Sequence, residues 1–212
     1  MIRVLTVAAA LFIAVPAWAD DAVPPPAPAK PFVYTAKASD IVIGKNDAPV
    51  TVVEYASLSC PHCAHFFTQV LPDLTTKYID TGKIRMVYRD YPLNEPALKA
   101  AELVQCADKD RRHDFLNVLF KTQGKWAYDA NFRESLANIA LLGGMERAQF
   151  NACLDDKERE KSVVAVAKEA QDDYKVSSTP TFYINGNVQQ GDAGLEALSK
   201  TIDDALAKTV KK

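Results

Sequence analysis

The segment Cys60-Pro61-His62-Cys63 lies where the chain changes its hydrophobic period, and that position constrains the fold more than any other feature. Before it, Val50 to Ala56 (VTVVEYA) is rich in β-branched and aromatic residues and reads as a buried strand. After it, from Ser59 to about Asp80, apolar residues recur at Phe66, Phe67, Val70, Leu71 and Leu74, the spacing of a helix face. Pro72 is a site for a kink in that helix, and Gly82 closes it. Ile84 to Arg89 (IRMVYR) is the next strand. Strand, helix and strand in this order predict a right-handed crossover, with the dithiol at the start of the helix.

The remaining elements extend this unit. An edge strand is expected within Phe32 to Ile43, followed by a turn at Asn46-Asp47-Ala48-Pro49. Between roughly Glu95 and Lys175 strand signals are almost absent. Amphipathic stretches run there from Ala97 to Ala107, Asp114 to Thr122, Phe132 to Leu142, Arg147 to Leu154 and Glu158 to Tyr174, with Gly143-Gly144 as a break. Thr181 to Ile184 (TFYI) returns to strand character, and Asn185-Gly186 is a strong hairpin signal pairing it with Asn187 to Gln190. A last helix is expected from Leu195 to Lys208. The order resembles an α/β thioredoxin fold with an inserted helical subdomain, the core being residues 41–94 and 176–212 and the insertion 95–175.

The N-terminus reads as a targeting segment. Arg3 precedes an almost unbroken apolar run from Val4 to Val15, Pro16 ends it, and Ala17-Trp18-Ala19 offers small residues where a signal peptidase reads. Residues 1–19 are therefore expected to be a cleaved signal peptide. The alternative, an uncleaved anchor, meets an apolar run shorter than the roughly 20 residues that span a bilayer. Residues 20–40 contain VPPPAPAKP (Val23 to Pro31), which can form neither helix nor central strand and reads as a tether. Export places the protein in a periplasm. With 25 basic against 27 acidic residues and no basic stripe, nucleic acid is excluded as a partner.

Four cysteines in an oxidising compartment suggest two disulfides. Cys60 and Cys63 have the spacing of a working pair. Cys106 and Cys153 lie far apart in helical sequence and are open to two readings, a staple or two buried free thiols.

An unperturbed thiol, with a pKa of about 8.5, is only a few per cent ionised near neutral pH. As the N-cap residue Cys60 would face the free N–H groups and positive dipole end of the first turn, both of which favour a thiolate. Pro61 suits the first helical position because its missing N–H has no partner there. Cys63, three residues on, would sit beside Cys60 but deeper, as the thiol that resolves a mixed disulfide. The His62 imidazole could add a charge or hydrogen bond to the thiolate, making the disulfide more oxidising. Zinc ligation by these cysteines with His62 or His65 lacks a second Cys-x-x-Cys and is set aside, as is an inert bridge. No metal and no cofactor are expected.

Two further positions carry alternatives. Thr179-Pro180 immediately precedes a strand, either as an ordinary trans turn or as a cis peptide whose Thr179 backbone pairs with a bound peptide. Glu54 lies inside an apolar strand, pointing either to solvent or into the core as a buried acid that relays protons to Cys63.

The segments VTVVEYASLSCPHC and STPTFYING resemble the DsbA family of periplasmic disulfide oxidoreductases, and the likeness runs from about Ile41 onward. The resemblance implies a thioredoxin domain with a helical lid, Cys60 as exposed nucleophile, Cys63 as resolving thiol, Pro180 as cis-proline and Glu54 as buried acid. It also implies reduced exported proteins as substrates and reoxidation by a quinone-linked, DsbB-like inner-membrane partner. Cys106 and Cys153 resemble the second cysteine pair of alphaproteobacterial-type members, which implies a bridge between them. Thr179 stands where some members carry valine, and isomerases of the related class also use threonine. A disulfide isomerase or reductase, kept reduced by a membrane electron donor, is thus the alternative function. A binding protein that keeps the fold without the activity is a third reading, which the intact Cys-Pro-His-Cys argues against. The proline-rich segment offers no dimerisation domain of the isomerase kind, so a monomer is expected. The basic residue that commonly partners the buried acid has no clear match, because Tyr88 stands near that position between Arg85 and Arg89.

Overall fold

The computed structural model describes residues 29–209, so the expected signal peptide and most of the tether lie outside the described residues. Five strands, β1 (Ile41–Ile43), β2 (Val50–Ala56), β3 (Ile84–Asp90), β4 (Thr181–Ile184) and β5 (Asn187–Gln190), form one sheet in the order β1-β3-β2-β4-β5. β2 and β3 are parallel, and every other pairing is antiparallel. The central β2 is buried on both faces, which explains its continuous apolar sequence. Only three residues of the expected N-terminal strand segment pair with β3. Phe32 instead stacks on Tyr183, with ring centroids 4.1 Å apart, on one face of the sheet.

The chain crosses from β2 to β3 through one helical run. α1 (Pro61–His65) passes into a π-turn over Phe66–Val70, then α2 (Leu71–Leu74), then a second π-turn over Thr75–Ile79. The first π-turn lies directly before Pro72: Leu71 N–H donates five residues back to Phe66 O, widening the turn ahead of a residue that has no N–H to give. The kink expected at Pro72 is thus expressed as a wide turn.

Between β3 and β4 lie α3 (Glu95–Cys106), α4 (Arg112–Lys121), α5 (Phe132–Leu142), α6 (Arg147–Leu154) and α7 (Lys157–Tyr174). Asn94 caps α3 by accepting from Ala97 N–H, and a capping box of Glu146 and Gln149 starts α6. Cys106 at the end of α3 is bonded to Cys153 in α6, with Cα atoms 6.1 Å apart. The helical block is not wholly separate from the sheet. α7 places Val166 and Ala170 against Val53, Tyr55 and Val87, so it covers one face of the sheet, while Val163 joins the main core. α8 (Leu195–Thr209) packs Leu198, Ile202 and Ala205 into that main core. The β4–β5 turn uses positive φ at both Asn185 (45°) and Gly186 (91°), as a tight two-residue hairpin requires. Among the described residues no helix is long and apolar enough to cross a membrane.

Candidate active site

The dithiol is positioned by the end of β2. Cys60 is the extended N-cap residue of α1, Pro61 occupies the first helical position, and Ala64 N–H closes the first turn on Cys60 O at 3.1 Å. Neither sulfur is bonded to the other in this structure. Cys60 is 6% exposed and Cys63 fully buried, so only Cys60 reaches the surface.

Their environments push the two thiols in opposite directions. Cys63 donates a hydrogen bond to the Cys60 sulfur, and Thr179 and then the backbone N–H groups of Cys63 and His62 add to it. Together they outweigh burial and lower the Cys60 pKa to about 5. Burial drives Cys63 far above the ordinary thiol range, helped by its bond to Cys60 and by the charges of Glu54 and Cys60. Near neutral pH the pair is therefore a Cys60 thiolate beside a Cys63 thiol.

His62 reaches this sulfur through its backbone rather than its ring. The imidazole is turned outward to Asp192, with Nδ1 at 3.4 Å from Oδ2, and His65 shares the same oxygen at 2.9 Å. Asp192 stands in the loop after β5, where Gly191 N–H donates to Pro180 O. The carboxylate thus ties α1 to the loop beside the dithiol.

The Thr179–Pro180 peptide is cis, and Thr179 O faces the active sulfur, accepting from the Cys60 thiol at 3.4 Å when it is protonated. Glu54 points into the core rather than to solvent, on the dithiol side of the sheet with Val52 and Ala56. Burial, and next the Cys60 charge, hold its carboxyl well above the usual range. No cation answers it among the described residues: Arg85 is bonded to Thr51 and Asn46 O, and Arg89 to Asp40, Tyr55 and Thr35 O.

Two residues of the helical block brace the loop before α1, and nothing in their own sequence announces it. Gln123 Nε2 donates to Leu58 O (2.7 Å) and Cys60 O (3.0 Å), and the Tyr128 hydroxyl donates to Ser59 O at 2.7 Å. Tyr128 leaves its ring 65% exposed beside the dithiol.

A buried-acid dithiol on a strand-to-helix turn, opposed by a cis-proline, defines a thioredoxin-fold redox protein. Residues 36–204 match the family model described as thioredoxin. A Rickettsia felis protein named as a protein-disulfide oxidoreductase is 36% identical over 186 residues, covering 86% of this chain, and the match spans 66% of that protein's own length. A Bacillus anthracis protein named as disulfide bond formation protein D is 32% identical, covering 84% of this chain and 82% of the relative. The crystal structure of Wolbachia pipientis alpha-DsbA1 superposes with a TM-score of 0.77 at 30% identity, covering 82% of this chain and 94% of that one. This chain belongs to the thioredoxin family, among its DsbA-type members.

Proposed function

We propose that the protein is a thiol-disulfide oxidoreductase that introduces disulfide bonds into exported proteins in the periplasm. The observation that carries this reading is the contrast between the two thiols, one held near pKa 5 at the surface and one buried and protonated. In the oxidised protein a substrate thiolate attacks the Cys60 sulfur and forms a mixed disulfide. The Cys63 sulfur leaves and takes a proton, for which buried Glu54 is the adjacent source. A second substrate thiolate then displaces Cys60, which departs readily because its thiolate is stable. The cis-proline loop offers Thr179 backbone to the bound peptide. A quinone-linked membrane partner restores the disulfide, and the protein works as a monomer. Trapping tests it: a Cys63→Ala variant whose Cys60 is first loaded as a mixed disulfide with thionitrobenzoate should exchange that group for reduced exported proteins, releasing thionitrobenzoate and accumulating protein mixed disulfides that Cys60→Ser abolishes. Adducts that persist in Cys60→Ser would refute the assignment.

A further inference from the structure

β2 and β3 run parallel with Glu54 opposite Tyr88 and Ala56 opposite Asp90. Residues two apart on a strand share a face. Tyr88 and Asp90 therefore lie on the Glu54 side of the sheet, while Arg89 between them points the other way to Asp40 at 2.7 Å. Glu54, Tyr88 and Asp90 are 1%, 1% and 4% exposed. Four of their oxygens, Glu54 Oε1 and Oε2, Tyr88 Oη and Asp90 Oδ1, have no hydrogen-bond partner among the described residues. Leaving buried polar atoms unpaired is costly, and here they form a row along one sheet face.

The row has two ends. At one stands Cys63, whose charge acts on Tyr88 as do those of Asp90 and Glu54. At the other, Asp90 Oδ2 accepts from Gln105 Nε2 at 3.0 Å, and Gln105, Ser39 and Arg112 line a surface cavity of about 270 Å³. The charged and titratable groups facing the row are Cys60 and Cys63 from α1 and Arg112 from α4.

We propose that Tyr88 and Asp90 continue the proton path of Glu54 to the surface cavity beside Gln105 and Arg112. The inference rests on the exchange reaction proposed above. During reoxidation by a small disulfide such as oxidised glutathione, the Cys60 thiolate first forms a mixed disulfide and expels one glutathione thiolate. Cys63 must then lose its proton and attack the Cys60 sulfur. The Cys60–glutathione bond breaks, the Cys60–Cys63 bond forms, and the electron pair leaves on the second glutathione thiolate. The protonated Glu54 carboxyl takes the Cys63 proton on one oxygen as it gives up its own to the Tyr88 hydroxyl, Tyr88 passes its own to the Asp90 carboxylate, and Asp90 releases the proton to solvent. The two protein thiols are oxidised and the glutathione disulfide is reduced. Asp90, which burial raises to about 6, is suited to exchange protons near neutral pH.

Tyr88→Phe deletes only an unpartnered oxygen, and Asp90→Asn keeps an oxygen for Gln105, so both variants should fold. Acid-quenched rapid mixing of each reduced protein with oxidised glutathione, read by mass spectrometry across the neutral pH range, separates the two steps. Mixed-disulfide formation at Cys60 should keep its wild-type rate. Its resolution by Cys63 should slow at least about tenfold, the low end of what positioned proton transfer contributes, so the adduct accumulates. Resolution at the wild-type rate in both variants would overturn the relay. A wild-type Cys60 that forms no adduct would overturn the exchange reading, and the relay with it.

Discussion

Replacing Cys63 with alanine removes the largest contributor to the acidity of Cys60. The Cys63 thiol donates to the Cys60 sulfur, ahead of Thr179 and the two backbone N–H groups, in a site that holds Cys60 at about 5. A hydrogen bond to a charged group is worth about 1.5–3 kcal/mol, and at about 1.4 kcal/mol per pKa unit this moves the pKa by about 1 to 2. Cys63→Ala should therefore raise Cys60 to about 6–7. Cys63→Ser retains an O–H donor at the same place and should hold Cys60 close to the wild-type value. Thiolate ultraviolet absorbance against pH reads this directly, because Cys106 and Cys153 are bonded and do not titrate. An alanine variant that titrates with the wild type would refute the assigned cause. So would a reduced wild type whose Cys60 titrates near the ordinary value of about 8.5.

Other consequences concern stability. Burial raises Asp90 from 3.8 to about 6, so the folded state keeps a proton that the unfolded chain releases; this contribution is fully present below pH 3.8 and is lost as pH rises through 6. Asp90→Asn should accordingly stabilise the protein by up to about 3 kcal/mol at pH 7 and not below the unfolded pKa, as urea unfolding at the two pH values would measure; a gain independent of pH contradicts it. Replacing both Cys106 and Cys153 with alanine opens a bridge spanning 47 residues and should cost about 4 kcal/mol by loop-closure entropy; an unchanged unfolding midpoint would contradict this. Gln123→Ala leaves the carbonyls of Leu58 and Cys60 without their donor and should destabilise by about 2–3 kcal/mol in the same assay.

The sheet and most helices were legible because their signals are local. β2, β4 and β5, with α5 and α6, begin and end where period and turn residues place them, since each has Gly, Pro, Asn or Asp at one end or both. The dithiol was legible for the same reason: Cys-Pro after a strand and before an amphipathic run is a helix N-terminus. Features that depend on distant partners were not. Alternation alone leaves open which face of β2 is solvated, and Glu54 is decided by the helices that cover both faces. The outward turn of His62 requires Asp192, 130 residues away. Gln123 and Tyr128 approach the dithiol only because the helical block folds back over the end of β2. Phe32 leaves the expected edge strand because a ring stack on Tyr183 buries it better than a strand edge could.

The proposed oxidising power stems from the acidity of Cys60, and the reduction potential of the Cys60–Cys63 pair at pH 7 tests that most directly. Compared with a thioredoxin thiol of pKa about 7, one at about 5 favours the reduced form about 50-fold at this pH, or about 50 mV at about 30 mV per tenfold. Equilibration with glutathione buffers should then give a potential of about −220 mV or more positive, against roughly −270 mV for thioredoxin. A value at or below that of thioredoxin would contradict the account.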